Sequence, residues 1–332
     1  MVDGRSSPST IASTAVSTAF GWTFVRIAIT AIVLAWVVRG VDAGAARAAL
    51  AGFSWSAILF AVALVAIDRV LMIWRWLLLI RPMTSLPGTE LTRIFLVSSF
   101  LGSLLPAGVG GDAARAYSVG RRTGQTGIAI ASVVVDRWVG LLAVGVLGCA
   151  GILASIGQVP DAARTATLAA TFMLLAGSAA GLFADRIVDG LMPAAWRHSW
   201  PGRMSTRLGA AIGAYRQHGG ALMGVAALSI AVQTVRVILA WVLGRGLGID
   251  LPFSDYWVFM PVNILVLLLP LSIGGFGLPQ GTMIWTLAPL GVAATPAFLL
   301  STLFVGAGIV GNIPGAVLYA AGTPPAPVNE LE

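Results

Sequence analysis

Long apolar runs dominate the pattern of hydrophobic and polar positions along this chain. No Asp, Glu, Lys or Arg occurs within 138–160, within 165–184 or from 256 to 329. A membrane-spanning helix needs about 20 consecutive apolar residues, and these runs are long enough. They are also continuous, whereas the strands of a membrane barrel alternate apolar and polar residues. The pattern therefore predicts an all-α polytopic membrane protein.

Two further apolar segments, 91–118 and 256–290, are interrupted by "LLPAGVGG" and "LLPLSIGG". Proline and paired glycines end a helix, and irregular backbone survives in hydrocarbon only where protein or water satisfies it. We therefore expect two re-entrant or broken helical hairpins; the alternative is two kinked full spans. The uninterrupted runs predict six full spans, at 20–39, 55–79, 126–153, 163–184, 218–246 and 295–321.

An internal repeat is indicated by two pairs of similar segments in the same order. "RVLMIW" at 69–74 resembles "RVILAW" at 236–241, and about thirty residues later "LLPAGVGG" resembles "LLPLSIGG". A single connecting span between the halves would invert the second, as in many secondary transporters. The predicted organisation is an N-terminal polar tail (1–19), one transmembrane domain (20–321) with repeat halves 55–153 and 218–321, a connecting span (163–184), a basic loop (185–217) and a C-terminal tail (322–332).

Arginine accounts for all twenty basic residues, and the net charge is +7 although only 10% of residues are charged. Arginine binds phosphate through a planar group of donors, which lysine lacks; codon bias is the alternative explanation. The single cysteine, Cys149, excludes an intramolecular disulfide. The absence of a P-loop and of clustered ligand residues predicts no metal or cofactor, and we expect no nucleic-acid partner.

The distribution of arginine predicts the topology. With the N-terminus in the cytoplasm, eleven arginines lie in cytoplasmic segments and three in outside loops. This bias follows the positive-inside rule and places both termini in the cytoplasm, in the inner cell membrane. We interpret 20–39 as an uncleaved first span; a cleaved signal peptide is the alternative.

The stretch "LLPAGVGGDAARAYSVGRR" at 104–122 concentrates the unusual chemistry. We expect a half-helix to start after its break, with Asp112 as N-cap, because free N–H groups and the helix dipole attract anions. The glycines would let a head group approach the backbone, and Arg115 lies one turn further on. In the alternative, Asp112 and Arg115 simply pair with each other or cap helices. The candidate site comprises Pro106, Gly108, Gly110, Gly111, Asp112 and Arg115.

Several charged residues fall well inside predicted spans. A charge at the bilayer centre costs about 3 kcal/mol or more, so each should face the bundle interior and find a partner. Arg75 and Arg245, near span ends, are instead expected to extend to the membrane surface. Functional and structural roles remain open for the interior charges, which are Asp68, Arg69, Asp136, Arg137 and Arg236.

Three motifs together resemble a known family: the stretch at 104–122, "SVVVDRWVGLLA" at 132–143 and "LLPLSIGGFGLPQG" at 268–281. They resemble the transmembrane, flippase-type domain of lysylphosphatidylglycerol synthases, and the resemblance extends from about residue 20 to 321. It implies a role in lipid translocation for Gly110, Gly111, Asp112, Arg115, Asp136 and Arg137.

The second hairpin departs from that family's pattern. Its glycines, Gly274 and Gly275, are usually followed by an Arg–Glu pair, whereas this chain has Pro279 and Gln280. Any proton-carrying or pairing role of that glutamate would be lost or moved. No soluble aminoacyl-transferase domain follows the last span, so we expect the chain not to synthesise lysylphosphatidylglycerol.

The sequence thus favours a lipid flippase or transporter, not an enzyme. Its substrate would be an anionic or phosphate-linked lipid, namely a phospholipid, an aminoacyl-phospholipid or a polyprenyl-phosphate-linked lipid. The head group would cross through a polar cavity near the membrane midplane, with Arg69 and Arg236 lining the route. The alternatives are a non-catalytic membrane partner of a lipid or glycan synthase, an integral-membrane transferase acting on lipid phosphates, and a transporter of small solutes.

Overall fold

The computed structural model describes residues 39–104, 109–154, 219–268 and 275–322, with scattered single positions at 35 and between 165 and 215. Apart from two short 3-10 turns, its regular structure is α-helical, which confirms the predicted class. In these ranges the helices are α1 (Ala43–Ala51), α2 (Trp55–Ile80), α3 (Gly88–Leu104), α4 (Val109–Thr123), α5 (Thr126–Ala154), α6 (Gly219–Gly246), α7 (Phe253–Leu268), α8 (Leu278–Leu287), α9 (Ala294–Val310) and α10 (Ile313–Ala320).

Some predicted features lie outside the described residues. They are both tails, the first span at 20–39, the connecting span at 163–184 and the basic loop at 185–217, apart from the scattered positions. Pro106, Gly108 and Gly274 also lie outside them.

Within the residues that the structure describes, four helical segments are long and apolar enough to cross a membrane. They run over Trp55–Met83, Thr126–Leu153, Gly219–Gly246 and Ala294–Ala320. At 1.5 Å per residue, each is about 40 Å long, which exceeds the roughly 30 Å hydrocarbon core of a bilayer. They match the predicted spans 55–79, 126–153, 218–246 and 295–321 to within a few residues.

Local signals explain where the long helices begin and end. The Ser54 hydroxyl accepts a hydrogen bond from the backbone N–H of Ala57 at 3.2 Å and caps α2. Helix α6 ends where Gly248 adopts a φ of 77°, so that the N–H of Ile249 donates to the carbonyl of Gly244 at 2.9 Å. A residue with a side chain rarely adopts that conformation, which is why glycine ends this helix.

Helices α3 and α4 form an antiparallel hairpin around the first predicted break. Near the break, a Cβ added to Gly111 would lie 2.6 Å from the carbonyl oxygen of Ser98 and 3.0 Å from the Cα of Gly102. At the far ends of both helices, Glu90 pairs with Arg122 at 2.7 Å. A continuous kinked helix would hold residues 90 and 122 far apart. The segment therefore folds back on itself, as the hairpin interpretation predicts.

Helices α7 and α8 form a second hairpin around the other break. The Asn263 amide donates to the hydroxyl of Thr286 at 3.4 Å. At the break, Gly275 has a φ of 82°, and a Cβ there would lie 2.8 Å from Leu267. Only glycine fits this turn, because both the conformation and the space exclude a side chain.

The hairpins pack against the long helices across the bundle. Helix α2 packs along α6, α5 packs against α7, and α10 packs against α3. Small residues permit these approaches: Gly151 lies against Trp257, and Gly315 lies against the backbone of Leu96. Close helix contact through glycine is typical of membrane helices, where packing supplies most of the attraction.

Candidate functional site

A cavity of about 340 Å³ lies between α2, α3, α4, α5, α6 and α9. Its lining comes from residues 65–75 of α2, 136–141 of α5 and 233–239 of α6, which are near the middle of these long helices. Among the residues that the structure describes, eight charged side chains line it, five of them arginines and three aspartates, so this part of the lining carries a formal charge of +2. They are Asp68, Arg69, Arg75, Asp112, Arg115, Asp136, Arg137 and Arg236.

Asp136 and Arg75 form a buried, two-point ion pair between α5 and α2. The Nε and Nη2 of Arg75 donate to the two oxygens of Asp136 at 2.8 and 3.0 Å. Both residues are buried, and Gly140 leaves room for the guanidinium, since a Cβ there would lie 3.2 Å from its Nη1. The prediction that Arg75 extends to the membrane surface is therefore wrong, because a carboxylate on the next helix holds it inside.

Asp112 is shared between two arginines. It accepts from the Nη2 of Arg115 at 2.7 Å and from the Nε of Arg137. Helix α4 begins at Val109, so Asp112 lies in its first turn and is not the N-cap. The predicted N-cap role is wrong, and Asp112 pairs with Arg115, although not with Arg115 alone. Charged donors bind a carboxylate more strongly than neutral N–H groups do, which explains this choice.

Arg115 lies between aromatic rings and carboxylates. Its guanidinium carbon is 5.0 Å from the ring centroid of Trp76 and 5.1 Å from that of Phe95. Its Nη2 is also 3.7 Å from Asp136, so it links the two carboxylates of this part of the cavity. The residue is 5% exposed, yet its Nε has no hydrogen-bond partner. A buried donor without a partner is rare in proteins.

The other end of the charged network joins α2 to α6 and α9. Arg236 donates to Asp68 at 2.8 Å, and the Nη2 of Arg69 donates to the carbonyl of Gly308 at 2.9 Å. Both guanidiniums also lie against the sulfur of Met72, at 3.9 Å for Arg69 and 3.1 Å for Arg236. The expectation that charges inside spans face the interior and find partners is confirmed for these residues and for Asp136 and Arg137.

The cavity brings together most of the residues predicted from sequence. Two of the described ones are not in its lining: Gly110, and Gln280, which is fully buried and accepts from the N–H of Gly277 at 2.6 Å, capping α8. Those that do line it are Arg69, Gly111, Asp112, Arg115, Asp136, Arg137, Arg236 and Gly275.

Sequence reasoning missed six polar residues of the described lining, which are Arg75, Ser98, Ser99, Ser103, Gln233 and Asn312. Arg75 follows Asp68 by seven residues, which is two helical turns, so both lie on one face of α2. That spacing could have identified it. Nothing in the sequence marks Gln233 or Asn312, because single amides in apolar helices occur for many reasons.

Four candidate membrane spans around a charged interior cavity define a multi-pass helical membrane protein. The family model described as the lysylphosphatidylglycerol synthase TM region matches residues 23–315. Because this match covers most of the chain, the chain belongs to that family, as the resemblance indicated. Among curated proteins, none matches it. The family connects the chain with lipid metabolism or transport at a membrane.

Proposed function

We propose that this protein moves lipids with an anionic or phosphate-linked head group between the leaflets of the bilayer. The head group passes through the charged cavity while the acyl or prenyl tails stay in the hydrocarbon. The observation that carries this proposal is the +2 lining near the middle of the long helices. Buried charge without compensation is costly, so an anion that enters is stabilised. Arginine also suits phosphate, which it binds through two parallel hydrogen bonds.

The packing pattern supports an inverted repeat as the basis of transport. The last span of the first half, α5, packs against the hairpin of the second half, α7–α8. Likewise α10, at the end of the second half, packs against α3 of the first hairpin. Reciprocal contacts of this kind are expected when two halves are related by a pseudo-two-fold axis. Rocking of one half against the other would then expose the cavity to each leaflet in turn.

The lengths of the first hairpin support a re-entrant arrangement. Helices α3 and α4 have 17 and 15 residues. At 1.5 Å per residue they are about 26 and 23 Å long, shorter than the roughly 30 Å hydrocarbon core. We infer that this hairpin enters from the cytoplasmic side, where the arginine bias also places both termini, in the inner membrane.

Transport can be measured with purified protein in liposomes that contain fluorescent phosphatidic acid. A membrane-impermeant quencher reports the lipid in the outer leaflet, with and without an imposed proton gradient. We expect the wild type to accelerate exchange over protein-free liposomes. Arg115→Met should slow it at least about tenfold, which corresponds to about 1.4 kcal/mol. In this variant Asp112 still pairs with Arg137 and Asp136 still pairs with Arg75, so the variant should fold.

Arg245→Met provides the matched control. Arg245 has a 55% exposed side chain, pairs with Asp250 and does not line the cavity, so its loss removes one positive charge elsewhere. The control should transport at the wild-type rate. Transport by Arg115→Met at that rate would refute the assignment of the cavity. If the wild type transports no lipid in any condition and co-purifies stably with a synthase, the result would favour a non-catalytic partner of that synthase. Turnover of a lipid phosphate would favour a transferase.

A further inference from the structure

The charges that line the cavity do not balance, and the surplus falls on two particular residues. Each carboxylate has an arginine of its own: Arg236 for Asp68, Arg75 for Asp136 and Arg137 for Asp112. These three pairs are neutral. Arg69 and Arg115 remain, and within the described part of the chain their carboxylate contacts are with groups already paired.

Both surplus guanidiniums have an unused donor. The Nε of Arg69 and the Nε of Arg115 are buried and have no hydrogen-bond partner. Two amide oxygens of the same lining, of Gln233 and Asn312, are also buried without a partner. Arg115 and Gln233 are 5% and 4% exposed, so water does not supply the missing bonds freely. A phosphate oxygen would satisfy the two unpaired guanidinium N–H groups, whereas the amide oxygens need a donor, so only the arginines indicate an anionic ligand.

The two surplus charges are well separated along the cavity. Arg115 lies over Trp76, which follows Arg69 by seven residues on α2. Seven residues are two helical turns, or about 10 Å along the helix axis. One negative charge in the cavity would leave the described lining with a formal charge of +1.

We infer that the cavity selects a head group with two negative charges on phosphate, such as a phosphomonoester or a diphosphate, over a singly charged phosphodiester. This inference rests on the proposed function and specifies its substrate class. Two negative charges bring the lining of the occupied cavity to neutrality, which a low-dielectric interior favours. A phosphomonoester carries a charge of about −1.5 to −2 at pH 7. Lysylphosphatidylglycerol has two amino groups beside one phosphate, so it would add positive charge and should bind worst.

The charge count applies to the residues of the lining that the structure describes, and each of them can be substituted one at a time.

The test is a set of titrations of the full-length, detergent-solubilised protein, followed by native mass spectrometry. The probes are a prenyl diphosphate, phosphatidic acid, phosphatidylglycerol, lysylphosphatidylglycerol and inorganic pyrophosphate. We expect the prenyl diphosphate and phosphatidic acid to bind at least about tenfold more tightly than phosphatidylglycerol, equivalent to about 1.4 kcal/mol. Lysylphosphatidylglycerol should bind more weakly than phosphatidylglycerol.

Substitution of the surplus arginines tests whether these two residues cause the preference for two negative charges. Arg69→Met and Arg115→Met each leave every carboxylate with its own arginine, so both variants should fold, which thermal unfolding checks. Each should reduce the preference for two charges, and the double variant, with a neutral lining, should lose it. Arg245→Met, outside the cavity, should keep it.

The outcomes separate this inference from the proposed function. If the wild type binds phosphatidic acid and phosphatidylglycerol with equal affinity, and Arg115→Met binds neither lipid, the charge selection is overturned. The cavity would then still be a site for anionic lipids, as the proposed function requires. Binding of no lipid above the level of a neutral lipid would overturn both. Inorganic pyrophosphate bound as tightly as the prenyl diphosphate would support selection for two charges but would contradict lipid as the substrate.

Discussion

Removal of the Asp136 charge is the most informative perturbation of the buried network. In the wild type, the Asp136 carboxylate accepts from Arg75 at 2.8 and 3.0 Å. Asp136→Asn keeps the shape of the side chain but removes the negative charge opposite Arg75. Breaking a buried ion pair by removing one partner costs about 3–5 kcal/mol, because the other charge stays buried and uncompensated. Arg115, 3.7 Å away, also loses a partner, so we expect about 4 kcal/mol of lost stability in this variant.

The reverse substitution should cost less. In Arg75→Met, Asp136 retains Arg115 at 3.7 Å, so we expect about 3 kcal/mol. Additivity would give about 7 kcal/mol for the double variant, whereas residues in direct contact couple by about 0.5–3 kcal/mol. We expect a loss of about 4–5 kcal/mol when both charges are removed together, because neither is then left unpaired.

The assay is unfolding in mixed micelles by increasing detergent denaturant, followed by tryptophan fluorescence and circular dichroism. The exposed pair Arg245–Asp250 supplies the control cycle, since exposed ion pairs contribute about 0–1 kcal/mol. Additive losses at Arg75 and Asp136, within about 0.5 kcal/mol, would refute the reasoning, because that is how uncoupled residues behave.

Three further outcomes are expected. Gly111→Ala should lower the unfolding midpoint, because its Cβ would lie 2.6 Å from a carbonyl oxygen of α3. Gly306→Ala is the control and should not lower it, because the space around Gly306 is open. Equal unfolding midpoints for the two variants would contradict the hairpin packing. Gln280→Ala should lose about 0.5–2 kcal/mol of stability in the same unfolding assay, because the hydrogen bond that caps α8 is removed. Phospholipid binding should be unchanged, because Gln280 does not line the cavity. Exchange of Asp68 and Arg236 (Asp68→Arg with Arg236→Asp) should restore thermal stability lost in either single variant, and failure to do so would argue against their pairing.

The helices could be predicted well from sequence because the membrane imposes a simple requirement. A continuous apolar run of sufficient length has few alternatives to a spanning helix. The predicted spans 55–79, 126–153, 218–246 and 295–321 therefore agree with α2, α5, α6 and α9–α10. The breaks were equally visible, since proline and glycine act locally.

The hydrogen-bond and ion-pair partners of the charged side chains could not be predicted, because they depend on how the helices pack against one another. The sequence placed Arg75 near a span end, where arginine usually reaches the surface, whereas Asp136 and Ser229 on neighbouring helices bind it inside. The N-cap role expected of Asp112 failed because α4 begins at Val109, which puts Asp112 within its first turn. Gly111, which is expected to admit a head group and which lines the cavity, also allows α3 and α4 to approach closely, and only the structure could show that contact.

The central claim is that the cavity holds an anionic head group through its surplus arginines. The most direct test is to identify, by native mass spectrometry, the lipid that the protein retains from its own membrane, with Arg115→Met beside the wild type and Arg245→Met as control. The account predicts a discrete phosphate-bearing lipid that is retained by the wild type and the control and lost from Arg115→Met. Identical, unselective membrane lipid in all three proteins would contradict it.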